Sequence, residues 1–241
     1  MIISNDRRFI FIHIPKTGGE SITETLSPYI PPTEIILNVI QPNEIVRYKD
    51  SDSQILRKHS SALDVMDTVS ADVWDSYFKF AFVRHPIDRA ISFYGYCSKF
   101  GQPPQRTLRQ RVRRPYRATT VGKYHRFPKM KSVGEFPAMK AFRESNSFSE
   151  FIRHPELGMK LQTSWICDHH EQIIVDHVGR FEHFGSEMAA IQLRLGVPLD
   201  IPAKKNVSGG NGVARSQLTQ DDITFLARRF EPDFALLGYV P

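Results

Sequence analysis

The sequence predicts an α/β fold: a central, mainly parallel sheet flanked by helices. Two observations carry this. Apolar runs of strand length, FIFIHI at 9–14 and FKFAFV at 78–83, each break directly into a helix-compatible stretch. A later run, IIVDHVGRFEHF at 173–184, is followed by the helical pattern EMAAIQLRLG. Strands that alternate with helices fit a parallel sheet covered on both faces, and such sheets carry ligand sites at the carboxyl ends of their strands.

In chain order, FIFIHI is β-prone, and Pro15, Lys16, Thr17, Gly18 and Gly19 break it. ESITETL then reads as a helix stopped by Pro28, so the order is strand, glycine-containing loop, helix. Residues 28–58 read as loops and short strands, with EIILNVI the clearest apolar piece. Ser60 or Ser61 can cap a short amphipathic helix over ALDVMDTV, and Ser70 another over ADVWDSY. After the second strand at 78–83 come Arg84 and His85, and Pro86 suits the first turn of a helix over 86–98. Beyond a basic segment, SFSEFIRH is a short helix and IIVDHVGRFEHF one or two strands. EMAAIQLRLG is a helix ended by Gly196, and residues 219–230 are a further helix. No internal repeat is visible.

Apolar residues make up 41% and charged residues 24% of the 241, which excludes wholesale disorder, collagen and coiled coil. One domain over 1–241 is expected, with a basic insertion at 99–143. No apolar stretch reaches the length of about 18 residues that a membrane span needs. The start, with Asp6, Arg7 and Arg8 ahead of a short apolar run, predicts neither signal peptide nor anchor. Cys97 and Cys167 make neither a disulfide framework nor a zinc motif, so a reducing, cytoplasmic setting is expected. The net charge of +6 is unevenly laid: residues 99–143 hold 13 Lys or Arg and one acid, Glu135, for +12. The remaining 196 residues hold 19 basic and 25 acidic, for −6. A segment this basic meets an anion, is disordered, or both.

PKTGGES, between strand and helix, can cradle an anion. Its glycines allow close backbone approach, the first-turn amides point at the ligand, and Lys16 adds a mobile charge. It is not the standard phosphate loop, because GxxxxGK[ST] puts the lysine after the glycines. A tight βα turn with an exposed lysine would read the same. VRHPIDRAIS sets Arg84 at a strand end and Ser92 about two turns into the next helix. A guanidinium fork completed by a helix hydroxyl matches a phosphate monoester, although Arg84 could equally pair with an acid. Together the motifs describe one ligand with two separated phosphate groups.

FIHIPKTGGESI followed by FAFVRHPIDRAISFY resembles the sulfotransferases that use 3′-phosphoadenosine 5′-phosphosulfate, especially the carbohydrate branch with its heparan and chondroitin enzymes. The resemblance implies a P-loop-like three-layer fold. It further implies that Lys16, Thr17, Gly18, Gly19 and Ser21 hold the 5′-phosphosulfate, and that Arg84 and Ser92 hold the 3′-phosphate. Glu20 departs from the Thr or Ser common in relatives and sets an acid beside an anionic site.

Sulfuryl transfer resembles phosphoryl transfer: attack is in line, and charge moves onto the bridging oxygen of the leaving phosphate. It asks for a cation at that oxygen, a base for the acceptor proton, and fixed donors around the nucleotide. Lys16 is the natural cation. His59 is the expected base, because a neutral imidazole suits the task and KHSSA looks like the KHSTA-type segment of related carbohydrate sulfotransferases. An exposed loop histidine beside Lys58 is the plainer alternative. His13 lies in a buried-looking strand, and His85 is expected to orient Arg84. DHHE at 168–171 matches no zinc spacing, and the implied reaction needs no metal. Neither cysteine has a place in direct transfer. In the resembling family a late basic loop often closes over the 3′-phosphate, which makes Lys205 and Asn206 in KKNVSGGNGVARS candidates; a plain connector fits as well.

The basic segment interleaves its cations with Phe100, Tyr116, Tyr124, Phe127, Phe136 and Phe142. Such a mixture binds single-stranded nucleic acid, and also sugars bearing acidic groups. Its place after the second motif predicts an acceptor loop, so a hydroxyl-bearing, anionic glycan is the expected partner; a functionless solvated insertion is the plainer reading. Two other classes stay open. A nucleotide kinase-like enzyme lacks its GxxxxGK[ST] and an evident magnesium-binding acid. A nucleic-acid-binding protein lacks any helix-turn-helix, zinc-finger or RNP pattern.

Overall fold

A computed structural model describes residues 1–31, 35–36, 56–101, 136–198 and 213–241. Their strands are β1 (Ile2–Ser4), β2 (Phe9–Ile12), β3 (Ile35–Ile36), β4 (Phe78–Val83) and β5 (His177–Arg180). They form one sheet in the order β3-β1-β2-β4-β5. β2, β4 and β5 run parallel, with Phe11 opposite Phe80 and Phe82 opposite Gly179. β1 is antiparallel to both its neighbours and forms an edge with β3. Parallel neighbours require a crossover. Between β2 and β4 the chain makes α1 (Gly19–Leu26), α2 (Ala62–Met66) and α3 (Ala71–Ser76). β2 and β4 therefore lie side by side, and the residues after each emerge at the same end of the sheet.

Side chains alternate across a strand, so each β-run feeds two faces. Phe9 and Phe11 of β2 join Phe80 and Phe82 of β4 on one face, packed with Ile22 and Leu26 of α1. Helix α7 (Phe184–Leu195) adds Phe184, Met188 and Ile191 to that layer. Ile10, Ile12, Ala81 and Val83 point the other way, onto Ala62 and Val65 of α2, Trp165 and Ile166. The result is helix, sheet, helix, the α/β arrangement the alternation predicts. Burying a side chain such as Phe82 contributes about 1.5–3 kcal/mol, and Gly179 makes room for it: an added Cβ there would sit 3.1 Å from the Phe82 ring.

The predicted caps are largely present. Ser61 and Asp64 form a reciprocal capping box on α2, and Ser70 accepts from Val73 N at the start of α3. Ser60 instead accepts from Arg57 N. Three elements go beyond the sequence reading. β1 is too short to show a period. α9 (Glu231–Leu237) starts immediately after α8 (Gln220–Arg229) because Pro232 suits a first turn. α5 (Pro137–Glu144) begins inside the segment expected to be an acceptor loop. The run at 173–184 yields β5 alone, preceded by an isolated bridge between Cys167 and Ile173.

The chain divides into two compact units, Met1–Phe93 with Lys160–Pro241, and Tyr94–Met159. Helix α4 covers Pro86–Phe100. The second unit contains α5 and α6 (Phe148–Arg153), where Tyr94 packs its ring against Phe142, Phe148 and Phe151. Of the basic segment, positions 102–135 lie outside the described residues. Both cysteines are buried free thiols. Among the described residues no helix is long and apolar enough to cross a membrane.

Candidate active site

The first junction, from β2 to α1, reverses the chain through two left-handed residues, Lys16 at φ 72° and Gly18 at φ 84°. For Lys16 this backbone costs on the order of 1–3 kcal/mol, and such strain persists only where the surroundings impose it. Thr17 is fully buried and its hydroxyl donates to Ile14 O at 3.0 Å, which ties the turn to the strand end. That hydroxyl is thus spent on the turn itself. The glycines are imposed by packing. A Cβ on Gly19 would lie 2.1 Å from the His13 ring, and one on Gly18 2.6 Å from the Phe181 ring. Gly18 is the N-cap of α1 and brings no side-chain cap, so the first-turn amides keep no side-chain acceptor at that position.

The second junction, from β4 to α4, is held by hydrogen bonds from distant side chains. Gln162 brackets Arg84: its Oε1 accepts from Arg84 N at 2.8 Å and its Nε2 donates to Arg84 O at 2.8 Å. Glu182 Oε1 accepts from His85 N at 2.7 Å, and His85 Nε2 donates to Val240 O at 2.8 Å. His85 thus ties the junction to Glu182 and Val240. The Arg84 guanidinium lies 4.8 Å from the Phe181 ring centroid. Burial lowers its pKa, while Asp88, Glu182 and Tyr239 favour the cation. Ser92 is buried on α4, and Ser21 is buried on α1.

Phe181 joins the two junctions: the same ring presses on Gly18 and carries Arg84. His59 arrives from a third segment. Its Nδ1 donates to His13 O at 2.7 Å, which places the hydrogen on Nδ1 and leaves Nε2 as the acceptor of the neutral ring. The two imidazoles meet edge to face at 4.7 Å. Burial, reinforced by Lys58 and opposed by the bond to His13, pulls the His59 pKa down to about 4. The residue as a whole is exposed, which tempers the shift. His13 is 3% exposed and also held neutral by burial; among the described residues its Nδ1 has no hydrogen-bond partner. Lys58 Nζ reaches Glu20 Oε1 at 3.4 Å, so the acid that departs from the family pattern is paired.

Lys16, Gly18, Gly19, Arg84 and His59 thus occupy one end of the sheet. The residues that hold the two junctions, Phe181, Gln162 and Glu182, carry no motif. Asp168 of DHHE accepts from His170 N and Gln172 N at 2.9 Å, which makes a turn. Among the described residues no group of three or more His, Cys, Asp or Glu is placed to hold a metal. Lys205 and Asn206 lie outside the described residues.

The Sulfotransferase family matches residues 1–240. The chain belongs to the sulfotransferase family. Carbohydrate sulfotransferase 14 of Danio rerio is 21% identical to it over 99% of the chain, and the chain spans 62% of that protein's length. No solved structure matches. In this sulfotransferase the chemistry of the donor set suits a nucleotide charged at both ends. One junction offers Lys16 and a glycine N-cap, the other a guanidinium 4.8 Å from the centre of an aromatic ring.

Proposed function

We propose that this sulfotransferase moves a sulfuryl group from 3′-phosphoadenosine 5′-phosphosulfate to a hydroxyl of a carbohydrate. The observation that carries the reading is the shared Phe181 ring, which lies against both the Lys16 loop at Gly18 and the Arg84 guanidinium at the ends of adjacent parallel strands. The likeness to a carbohydrate sulfotransferase supports the acceptor class.

On this reading Lys16, Gly18, Gly19 and Ser21 hold the phosphosulfate end, and Arg84 with Ser92 holds the 3′-phosphate. Thr17 shapes the loop from beneath. As the acceptor oxygen attacks sulfur, the bond from sulfur to the bridging phosphate oxygen breaks, and the Lys16 ammonium meets the charge that grows there. His59 Nε2 takes the acceptor proton. A histidine with lowered pKa is neutral and ready at rest but a weak base; the negative charge of a bound donor raises its pKa toward working pH. The cations of 99–143 meet acidic groups of the glycan.

Calorimetry with 3′-phosphoadenosine 5′-phosphate, and separately with ATP and magnesium, tests the donor, because only this reading requires a 3′-phosphate. Transfer of labelled sulfate to a panel of glycans, phenols and lipids tests the acceptor. Binding to the bisphosphate and labelling of glycans are expected. Equal or tighter binding of ATP, or labelling confined to phenols or lipids, would overturn the donor or the acceptor assignment respectively.

A further inference from the structure

Arg89 and Asp233 are 2% and 0% exposed, and Arg89 Nη1 lies 4.0 Å from Asp233 Oδ2. Two charges are expensive to bury, and their attraction across that distance is only part of the compensation. The rest comes from hydrogen bonds, and these lead outward to the transfer site. Arg89 Nε donates to Pro15 O at 3.0 Å, one residue before Lys16. Arg89 Nη1 donates to Lys160 O at 2.8 Å, at the entry to the Gln162 segment. The guanidinium lies 5.5 Å from the Trp165 ring centroid, and Trp165 Nε1 donates to His59 O at 3.1 Å. Asp233 accepts from the backbone N–H groups of Gln162 and Thr163, at 2.9 and 3.0 Å, and from the Thr163 hydroxyl. Gln162 in turn brackets the backbone of Arg84.

We infer that the buried Arg89–Asp233 pair is a positioning hub that sets the Lys16 loop, His59 and Arg84 in register with one another. This rests on the assignment of those three residues to sulfuryl transfer. The pair touches none of the reacting groups; it acts through the Pro15 carbonyl, through Trp165 and through Gln162. Lysine at position 89 keeps the charge but cannot supply two donors in a fixed fork, so the hub requires arginine specifically. The branches also separate. Trp165 reaches the base alone, and Gln162 reaches the 3′-phosphate clamp alone.

The test uses the full chain with three variants. Trp165→Phe keeps a ring and deletes one donor. It should lower kcat about tenfold, with affinity for 3′-phosphoadenosine 5′-phosphate changed less than about twofold. Gln162→Met should do the reverse, weakening that affinity about tenfold while kcat at saturating donor stays within about threefold. Arg89→Lys should lower both, and hydrogen exchange should show lost protection around residues 13–19, 57–61 and 84–85 together. Protection lost in Arg89→Lys only within α4, or Trp165→Phe and Gln162→Met affecting the same parameter, would overturn the hub. If Arg89→Lys does not fold, the split between the other two decides. Should the unaltered protein neither bind the bisphosphate nor transfer sulfate, the transfer reading fails, and the exchange map of Arg89→Lys decides the hub by itself.

Discussion

The two strand-to-helix junctions do similar work by different means. After β2, rings press against glycines: His13 fills the space beside Gly19, and Phe181 that beside Gly18, so the loop is held by what cannot fit. After β4, the backbone is held by what is attached, with Gln162 and Glu182 bonded to Arg84 and His85 from 78 and 97 residues away. A steric seal fixes the path of a short loop without a side-chain cap at Gly18, which suits a loop that must cradle an anion. A bonded bracket consumes the backbone groups of Arg84 and leaves its guanidinium as the only group offered. The first junction therefore presents backbone and an ammonium, the second one aimed fork.

The comparison breaks most visibly at Lys16. Lys16→Ala should reduce turnover by about 1,000-fold, the upper end of the range for losing one group that meets transition-state charge. The melting temperature should change little, because the glycines and Thr17 hold the turn without it. A large drop in melting temperature would show that Lys16 builds the junction. His59→Ala comes next, with a loss of about 100- to 10,000-fold in rate at retained nucleotide affinity. The pH dependence carries the same test. The base must be neutral, so activity falls as pH drops through its pKa, and a pKa lowered to about 4 in the donor-free protein puts the acid limb of kcat/KM for the donor below an ordinary histidine's 6.5. A limb at or above 6.5 that His59→Ala leaves in place would remove His59 as the base.

What could be read from the sequence follows the same division. PKTGG is legible because a steric junction is written locally, in consecutive small residues after an apolar run. RHPIDRAIS is legible only in the groups that would meet a ligand. Its bracket, Gln162 and Glu182, sits in segments with ordinary composition, and nothing in a lone glutamine marks it as a partner of Arg84. Arg89 lay inside the quoted motif, yet its burial against Asp233 is a tertiary fact that no spacing conveys. The inward bond of the Thr17 hydroxyl to Ile14 O is not legible in the sequence, and neither is the left-handed backbone of Lys16, where no glycine or asparagine marks it. The sheet was legible where strands run long and apolar, and not at β1, where three residues show no alternation.

Two substitutions of intermediate effect separate the junctions. Gly19→Ala forces a methyl to 2.1 Å from the His13 ring and should destabilise the fold by about 1–3 kcal/mol, read as a lower urea midpoint, with the Arg84 side unaffected. Arg84→Ala should do the opposite, weakening the bisphosphate by about 1.5–3 kcal/mol with stability retained, because Gln162 holds the backbone of residue 84 and not its side chain. Unchanged affinity in Arg84→Ala would refute the clamp. A normal urea midpoint in Gly19→Ala would refute the steric seal.

The smallest effect belongs to Glu20→Thr, which sharpens the contrast from the electrostatic side. The Lys58–Glu20 pair lies at 3.4 Å with the Glu20 side chain 56% exposed, and exposed pairs contribute only about 0.2–1 kcal/mol. If rings seal the first junction, removing this acid leaves stability nearly unchanged while it frees Lys58 to act on the bound anion. Donor affinity should then rise by about two- to threefold at low salt, and the gain should fade as ionic strength shortens the reach of the charge. It should also lower the His59 pKa further, since Lys58 already pushes that way and Glu20 offsets its charge. A loss of stability as large as that of Gly19→Ala would mean that the ion pair, and not the His13 ring, holds the loop in place.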